Sequence, residues 1–331
     1  MAALLTVCSP YLGPKHRNST FRCDLIIRLG PQHSNMTSQP GSTSPPRITI
    51  ITPAIGAEQH LEATIRSVIY QCYPNLEFIV VEDGARGERR EVLQRYRSHF
   101  LLQTCLTGTE LCAALNMAFE KSSGEILGWL EPGDMFHTNG LHVIGSVFAS
   151  FPDIEWITGR PFNFSPSGMP TGLKHLERWS RIRFLAGGNK YIHRETTFWR
   201  RSLWDRAGGS LSTAYGLAGE FEMFLRFFRH ARLYSVDALI GGYRTHPGNH
   251  SATNSHRRYN QICDEIADRE LAGVSGAYAA KLFRSLTRIV AHVPKIRSLW
   301  HRYALQSIYR CPGPDWHPRI VARGDKWVLD S

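Results

Sequence analysis

The sequence has no run of about 18 apolar residues, so no helix that spans a bilayer is expected. It has no GxGxxG turn after its first strand-like run and no GxxxxGK[ST] loop, which removes the dinucleotide and P-loop readings that depend on them. No GxSxG elbow occurs, and no Cys/His set has zinc spacing. The seven cysteines, Cys8, Cys23, Cys72, Cys105, Cys112, Cys263 and Cys311, include no CxxC pair. Their odd number and apolar neighbours fit core thiols in a reducing compartment better than a disulfide framework. The opening MAALLTVCSPYLG has no positive leading region and only a short apolar run, so it is not read as a signal peptide. A cytoplasmic location follows as the expectation.

What is present is ordinary globular composition. The 331 residues are 42% hydrophobic and 20% charged, enough for a sizeable core. The net charge of +11 is uneven. Lys281, Arg284, Arg288, Lys295, Arg297, Arg302 and Arg310 fall in a stretch with no Asp or Glu, interleaved over 275–310 with Leu282, Phe283, Leu286, Ile289, Ile296, Leu299 and Trp300. Such a basic amphipathic segment suits peripheral contact at a membrane face, or docks back on the rest of the chain. No nucleic-acid-binding motif accompanies the charge, and no nucleic acid partner is expected.

The chain divides by pattern. Residues 1–46 end in the linker-like SNMTSQPGSTSPP and are expected to be a poorly ordered extension. From residue 47 strands and helices alternate. ITIIT (48–52) reads as a buried strand; Leu61, Ile65, Val68, Ile69 and Cys72 recur at helical spacing; LEFIVV (76–81) is a second strand ending in Glu82-Asp83-Gly84. LLQTC (101–105) and EILGWL (125–130) follow, each preceded by a helical pattern, and IEWIT (154–158) is a further strand. Helices are expected around Leu141–Phe148, over Gly219–His230 and over Ala277–Val293. The alternation predicts an α/β fold with a mostly parallel central sheet flanked by helices. Ligands of such sheets bind beyond the carboxyl ends of the strands. Those ends are Thr52-Pro53, Glu82-Asp83-Gly84 and Glu131-Pro132-Gly133-Asp134.

Two carboxylates three residues apart, Glu131 and Asp134, can face one hard cation such as Mg²⁺ or Mn²⁺, or can form a solvated acidic turn. Glu220 and Glu222 open a helix, where negative charge is welcome; either is a terminal helix charge or Glu220 is a general base. The segment YIHRETTFWRR (191–201), with His193, Arg194 and Glu195 among aromatics, could line an acceptor pocket or pack against the sheet.

The run ITIITPAIGAEQHLEATIRSVIYQCYPNLEFIVVEDG, the segment SSGEILGWLEPGDMF, and ETTFWRRSLWDRAGG followed by LAGEFEMFLRFFRHARLYSVDALIGGYRTH resemble glycosyltransferase family 2, of the Rossmann-like A-type nucleotide-diphospho-sugar fold. The similarity is to a bacterial non-processive subgroup and spans about 47–250, with 251–331 left as a helical, basic C-terminal extension. It implies inverting transfer of a sugar from a nucleotide-diphospho-sugar to a hydroxyl acceptor, a cell-envelope glycan or lipid-linked saccharide. It implies a divalent Mn²⁺ or Mg²⁺ on Asp134 with Glu131, donor contacts from Thr52, Pro53, Glu82, Asp83, Glu131 and Asp134, and Glu220 as the base. His193, Arg194, Glu195, Trp199 and Arg244 become the acceptor-side residues. The chain departs from the family pattern at Gly133, where a second aspartate is common, and at Gly108, Ala85 and Ile55-Gly56. These departures sustain an alternative: a weak or inactive member that binds a nucleotide, a protein or a membrane.

Overall fold

A computed structural model describes residues 44–55, 58–84, 86–105, 110–186, 191–245, 254–271 and 319–330, with isolated positions 282, 285 and 286. The expected extension over 1–46 lies outside the described residues up to residue 43, and so does most of the basic stretch 275–310.

The first half follows the alternating pattern. β1 (Ile48–Ala54) leads through α1 (Leu61–Ile69) to β2 (Leu76–Glu82), then through α2 (Gly87–Arg95) to β3 (Leu102–Cys105), and through α3 (Leu111–Glu120) to β4 (Ile126–Trp129). β1 lies between β2 and β4, parallel to both, and β2 pairs in parallel with β3. Adjacent side chains on a strand face opposite ways. Ile48 and Ile50 of β1 therefore enter one core with Leu61, Ile65 and Val68 of α1, whereas Ile51 enters the other with Leu115 and Phe119 of α3. Both faces of the sheet are covered, which is why these strands read as continuous apolar runs.

The second half turns the sheet mixed. After the short β5 (Met135–Phe136) and α4 (Gly140–Ser150) come β6 (Trp156–Phe164), β7 (Pro170–Leu173), α5 (Arg181–Ala186), β8 (Thr197–Arg200), α6 (Arg201–Arg206), α7 (Gly219–His230), β9 (Tyr234–Arg244) and α8 (Asn254–Leu271). The chain closes on β10 (Arg319–Arg323) and β11 (Lys326–Asp330). The strand order is β11-β10-β9-β6-β8-β4-β1-β2-β3, with β5 on β9 and β7 on β6. β8 lies between β4 and β6, antiparallel to both. The expectation of a mostly parallel sheet is thus corrected: β8 enters between β4 and β6 against both, and β7, β5 and β11 also pair antiparallel with their neighbours.

Aromatic packing fastens the second half. Trp156 on β6 is fully buried among Phe224, Phe227 and Phe228 of α7, with ring centroids 5.6, 5.3 and 4.7 Å away. α7 carries Glu220 in its first turn, so this contact fixes the helix that holds it. At the opposite end of the sheet from the strand termini, Glu77 of β2 accepts hydrogen bonds from Thr49 Oγ1, from Ser123 N and Oγ (both 2.8 Å) and from Gly124 N (3.2 Å). That buried carboxylate ties β1, β2 and the turn before β4 together.

Candidate active site

The carboxyl ends of β1, β2 and β4 come to one edge because these strands are neighbours. Thr52 and Pro53 are buried at the end of β1, and the Thr52 hydroxyl is enclosed without a hydrogen-bond partner. Glu82 closes β2, and Asp83 beyond it is ion-paired at 2.6 Å with Arg89 of α2, an arginine almost wholly buried. Arg89 was not singled out in the sequence, where it is one of several charges on a polar helix.

Beyond β4 the chain turns tightly: the Asp134 amide donates to Glu131 O at 3.1 Å. Gly133 sits at φ 110°, a conformation that strains any residue with a Cβ. Thr64 of α1 holds the turn twice, its hydroxyl accepting from Gly133 N at 2.9 Å and donating to Asp134 O at 2.8 Å. The Asp134 carboxylate is 4% exposed and accepts the backbone amide of Arg244 at 3.1 Å. Burial, then the negative charge of Glu195, pushes the Asp134 carboxyl well above the usual range, against the pull of Arg194.

Arg194 is the hub. A 3-10 turn, Arg194–Thr196, precedes β8, held by Thr196 and Thr197 hydroxyls that both donate to His193 O at 2.8 Å. β9 passes against this turn, where a Cβ on Gly241 would lie 2.2 Å from Glu195 O. From this perch Arg194 donates Nη2 to Glu131 at 2.7 Å and Nη1 to Glu220 at 3.0 Å. The exposures of the three side chains are 23%, 18% and 15%. Glu131 and Glu220 are thereby joined through one guanidinium, although they come from different elements. Burial raises the Glu220 carboxyl above its usual range, and Arg194 opposes the rise. Burial disfavours the Arg194 charge, yet Glu131, Glu220, Asp134 and Glu195 together hold it well above its ordinary value. Tyr259 of α8 also reaches Glu220, donating at 3.4 Å. Glu222, one turn-neighbour away, faces elsewhere and pairs with Arg226 at 2.9 Å.

Three expected acceptor residues are placed differently. Trp199 is 0% exposed and packs on Trp129 and Phe119, with centroids at 5.5 and 5.9 Å, so it belongs to the core rather than to an acceptor surface. Arg244 is buried and spends its guanidinium on Gly133 O and Pro166 O, both at 2.9 Å, and on Met135 Sδ at 3.0 Å; it braces the Glu131–Asp134 turn. Glu195 is 2% exposed and accepts from His193 Nδ1 at 2.9 Å. Burial acts to raise its carboxyl, but the His193 contact prevails and lowers it. His193 remains partly open, its other ring nitrogen 3.4 Å from Lys174 Nζ, on the wall of a cleft of about 430 Å³ between β6 and residues 174–179.

The family profile for Glycosyl transferase family 2 matches residues 49–195. That segment, under half of the chain, is what it shares with glycosyltransferase family 2. It is similar to TuaG of Bacillus subtilis (strain 168), a glycosyltransferase named for teichuronic acid biosynthesis, with 30% identity over 29% of this chain and 39% of that one. An uncharacterized glycosyltransferase of Rickettsia conorii is 30% identical over 75% of this chain and 43% of its own length. The chain therefore spans less than half the length of these curated relatives. Among solved structures, S. aureus TarS residues 1–349 with UDP-GlcNAc shares the fold, with a TM-score of 0.52 and 13% identity, covering 86% of this chain and 96% of that one.

The donor set suits a hard dication: Glu131 and Asp134 offer carboxylate oxygens, and Glu131 Oε1 is buried without a hydrogen-bond partner. Among the described residues no group of three or more His, Cys, Asp or Glu is arranged as a metal site. No helix among them is long and apolar enough to cross a membrane.

Proposed function

We propose that this chain transfers a sugar from a nucleotide-diphospho-sugar to a hydroxyl acceptor, with inversion at the anomeric carbon. The observation that carries the reading is the convergence of Glu131, Asp134 and Glu220 at the sheet edge where β1, β2 and β4 end. The family match over 49–195 and the UDP-GlcNAc complex of a protein with the same fold support the donor class.

In this reading the nucleoside lies over Thr52, Pro53 and the Glu82-Asp83 corner, and Asp134 with Glu131 would hold Mn²⁺ or Mg²⁺ beside the diphosphate. A dication there supplies charge neutralisation for the leaving group. Glu220 takes the proton of the acceptor hydroxyl. The oxygen forms its bond to the anomeric carbon as the bond to the diphosphate breaks, and the electron pair leaves on phosphate oxygen. Partial burial keeps water from competing with the acceptor. His193, on the wall of the neighbouring cleft, lies on the acceptor side. The name of the Bacillus relative favours a cell-envelope glycan as acceptor.

Calorimetric titration with uridine, guanosine and thymidine diphosphates, with and without Mn²⁺, tests the reading. Selective binding strengthened by the metal is expected. A folded protein that binds none of them would remove the transferase reading and leave an interaction module.

A further inference from the structure

The Arg194 fork poses a problem for any dication at Glu131. A guanidinium and a metal ion are both cations, and both seek the same carboxylate. Arg194 Nη2 lies 2.7 Å from Glu131 Oε2 while Nη1 lies 3.0 Å from Glu220 Oε2. Two like-charged partners on one carboxylate repel, and the repulsion is large where water is partly excluded. Asp134 feels the Arg194 charge, but the hydrogen bond its carboxylate accepts comes from a neutral backbone amide rather than from the guanidinium.

The arginine is also placed so that its planar guanidinium can pivot on one contact while giving up the other. Its two terminal nitrogens go to carboxylates on different elements, the turn after β4 and the first turn of α7, rather than bidentately to one. Its Nε is buried with no acceptor, and Glu131 Oε1 is buried with no donor. The contact is therefore only half used on both sides.

We infer that Arg194 and the divalent cation exchange at Glu131. When the cation takes Glu131, the guanidinium pivots on its Nη1 contact to Glu220, which carries Nη2 off Glu131 and toward the donor's diphosphate. Arg194 is then a positioning residue that couples donor arrival to the alignment of Glu220. It keeps Glu131 and Glu220 from repelling each other until a second cation replaces it at Glu131. The inference rests on the transferase reading and adds an order of events to it.

The test measures Mn²⁺ binding by electron paramagnetic resonance in protein without nucleotide, for wild type, Arg194→Gln and Arg194→Lys. Removing a competing cation tightens Mn²⁺ binding, on the order of tenfold for Arg194→Gln. Arg194→Lys, with the charge kept but the fork lost, falls between. A purely structural arginine predicts the reverse, because a damaged site binds metal less well. Equal or weaker Mn²⁺ binding in Arg194→Gln overturns the exchange, as does failure of both wild type and folded Arg194→Gln to bind Mn²⁺. Should Arg194→Gln fail to fold, Arg194→Lys decides alone: binding no tighter than wild type overturns it. Calorimetry with the nucleoside diphosphates is run in parallel on wild type. Retained nucleotide binding with unchanged Mn²⁺ affinity removes only the exchange, and lost nucleotide binding removes the transferase reading as well.

Discussion

Asp134 and Arg244 lie 110 residues apart in the chain, and the side chain of the first accepts the backbone amide of the second. The Arg244 guanidinium returns the contact by gripping Gly133 O. The acidic turn after β4 is thus held from β9. Arg244→Met keeps the stem but removes three contacts made by a buried charge. It should destabilise the fold by about 3 kcal/mol or more, measured as a shift in urea midpoint, and should weaken nucleotide binding by loosening Asp134.

Glu220→Gln keeps size and polarity and removes the proton acceptor. Transfer is expected to fall on the order of 10²–10⁴-fold, with nucleoside diphosphate affinity close to wild type. Unchanged turnover in a single-turnover assay removes Glu220 from the base role.

Gly133→Asp restores the second aspartate common in the family. It should not improve metal binding, because φ 110° at that position strains a side chain. The expected cost is about 1–3 kcal/mol, read as a lower melting temperature together with unimproved Mn²⁺ affinity.

Glu77 gives a pH signature. Burial acts to raise its carboxyl, but hydrogen bonds from Thr49, Ser123 and Gly124 prevail and hold it below the ordinary value. A carboxyl lowered in the folded state stabilises the fold fully above its unfolded pKa, roughly 4.3. That stability is lost as pH falls through the lower folded value. Denaturant titrations from pH 7 to pH 3 should show the advantage of wild type over Glu77→Gln shrinking below about pH 4. An advantage constant across that range assigns the effect to packing instead.

How much of this was readable in advance depends on where contacts come from. β1, β2 and β4 are buried on both faces, so their apolar runs announce them and their ends announce Glu82, Asp83, Glu131 and Asp134. β9 was hidden, because Asp237 and the Gly241-Gly242 pair interrupt its apolar pattern. β8 has four residues, too few to distinguish an inward Trp199 from one facing a ligand. The Arg194 bridge joins partners 63 and 26 residues away, and no local spacing encodes such a pairing. Tyr259 lies past the point where the family pattern ends, in a helix whose sequence says only that it is amphipathic. Thr64, at the centre of the acidic turn, looks like any threonine on an apolar helix face.

The β10–β11 hairpin bears on synthesis. β9 is flanked by β6 on one side and by β10 on the other, where Arg319 and Ile320 pair in parallel with Ser235 and Val236. The ribosome releases β9 well before β10, so during translation the Ser235–Val236 end of that border waits unpaired, while β5 can already pair with Gly241 and Gly242. Unpaired borders of this kind invite strand pairing between neighbouring nascent chains. Trp327 of β11, anchored to Ser146 of α4 at 2.9 Å, then acts as a late latch on a sheet otherwise already assembled.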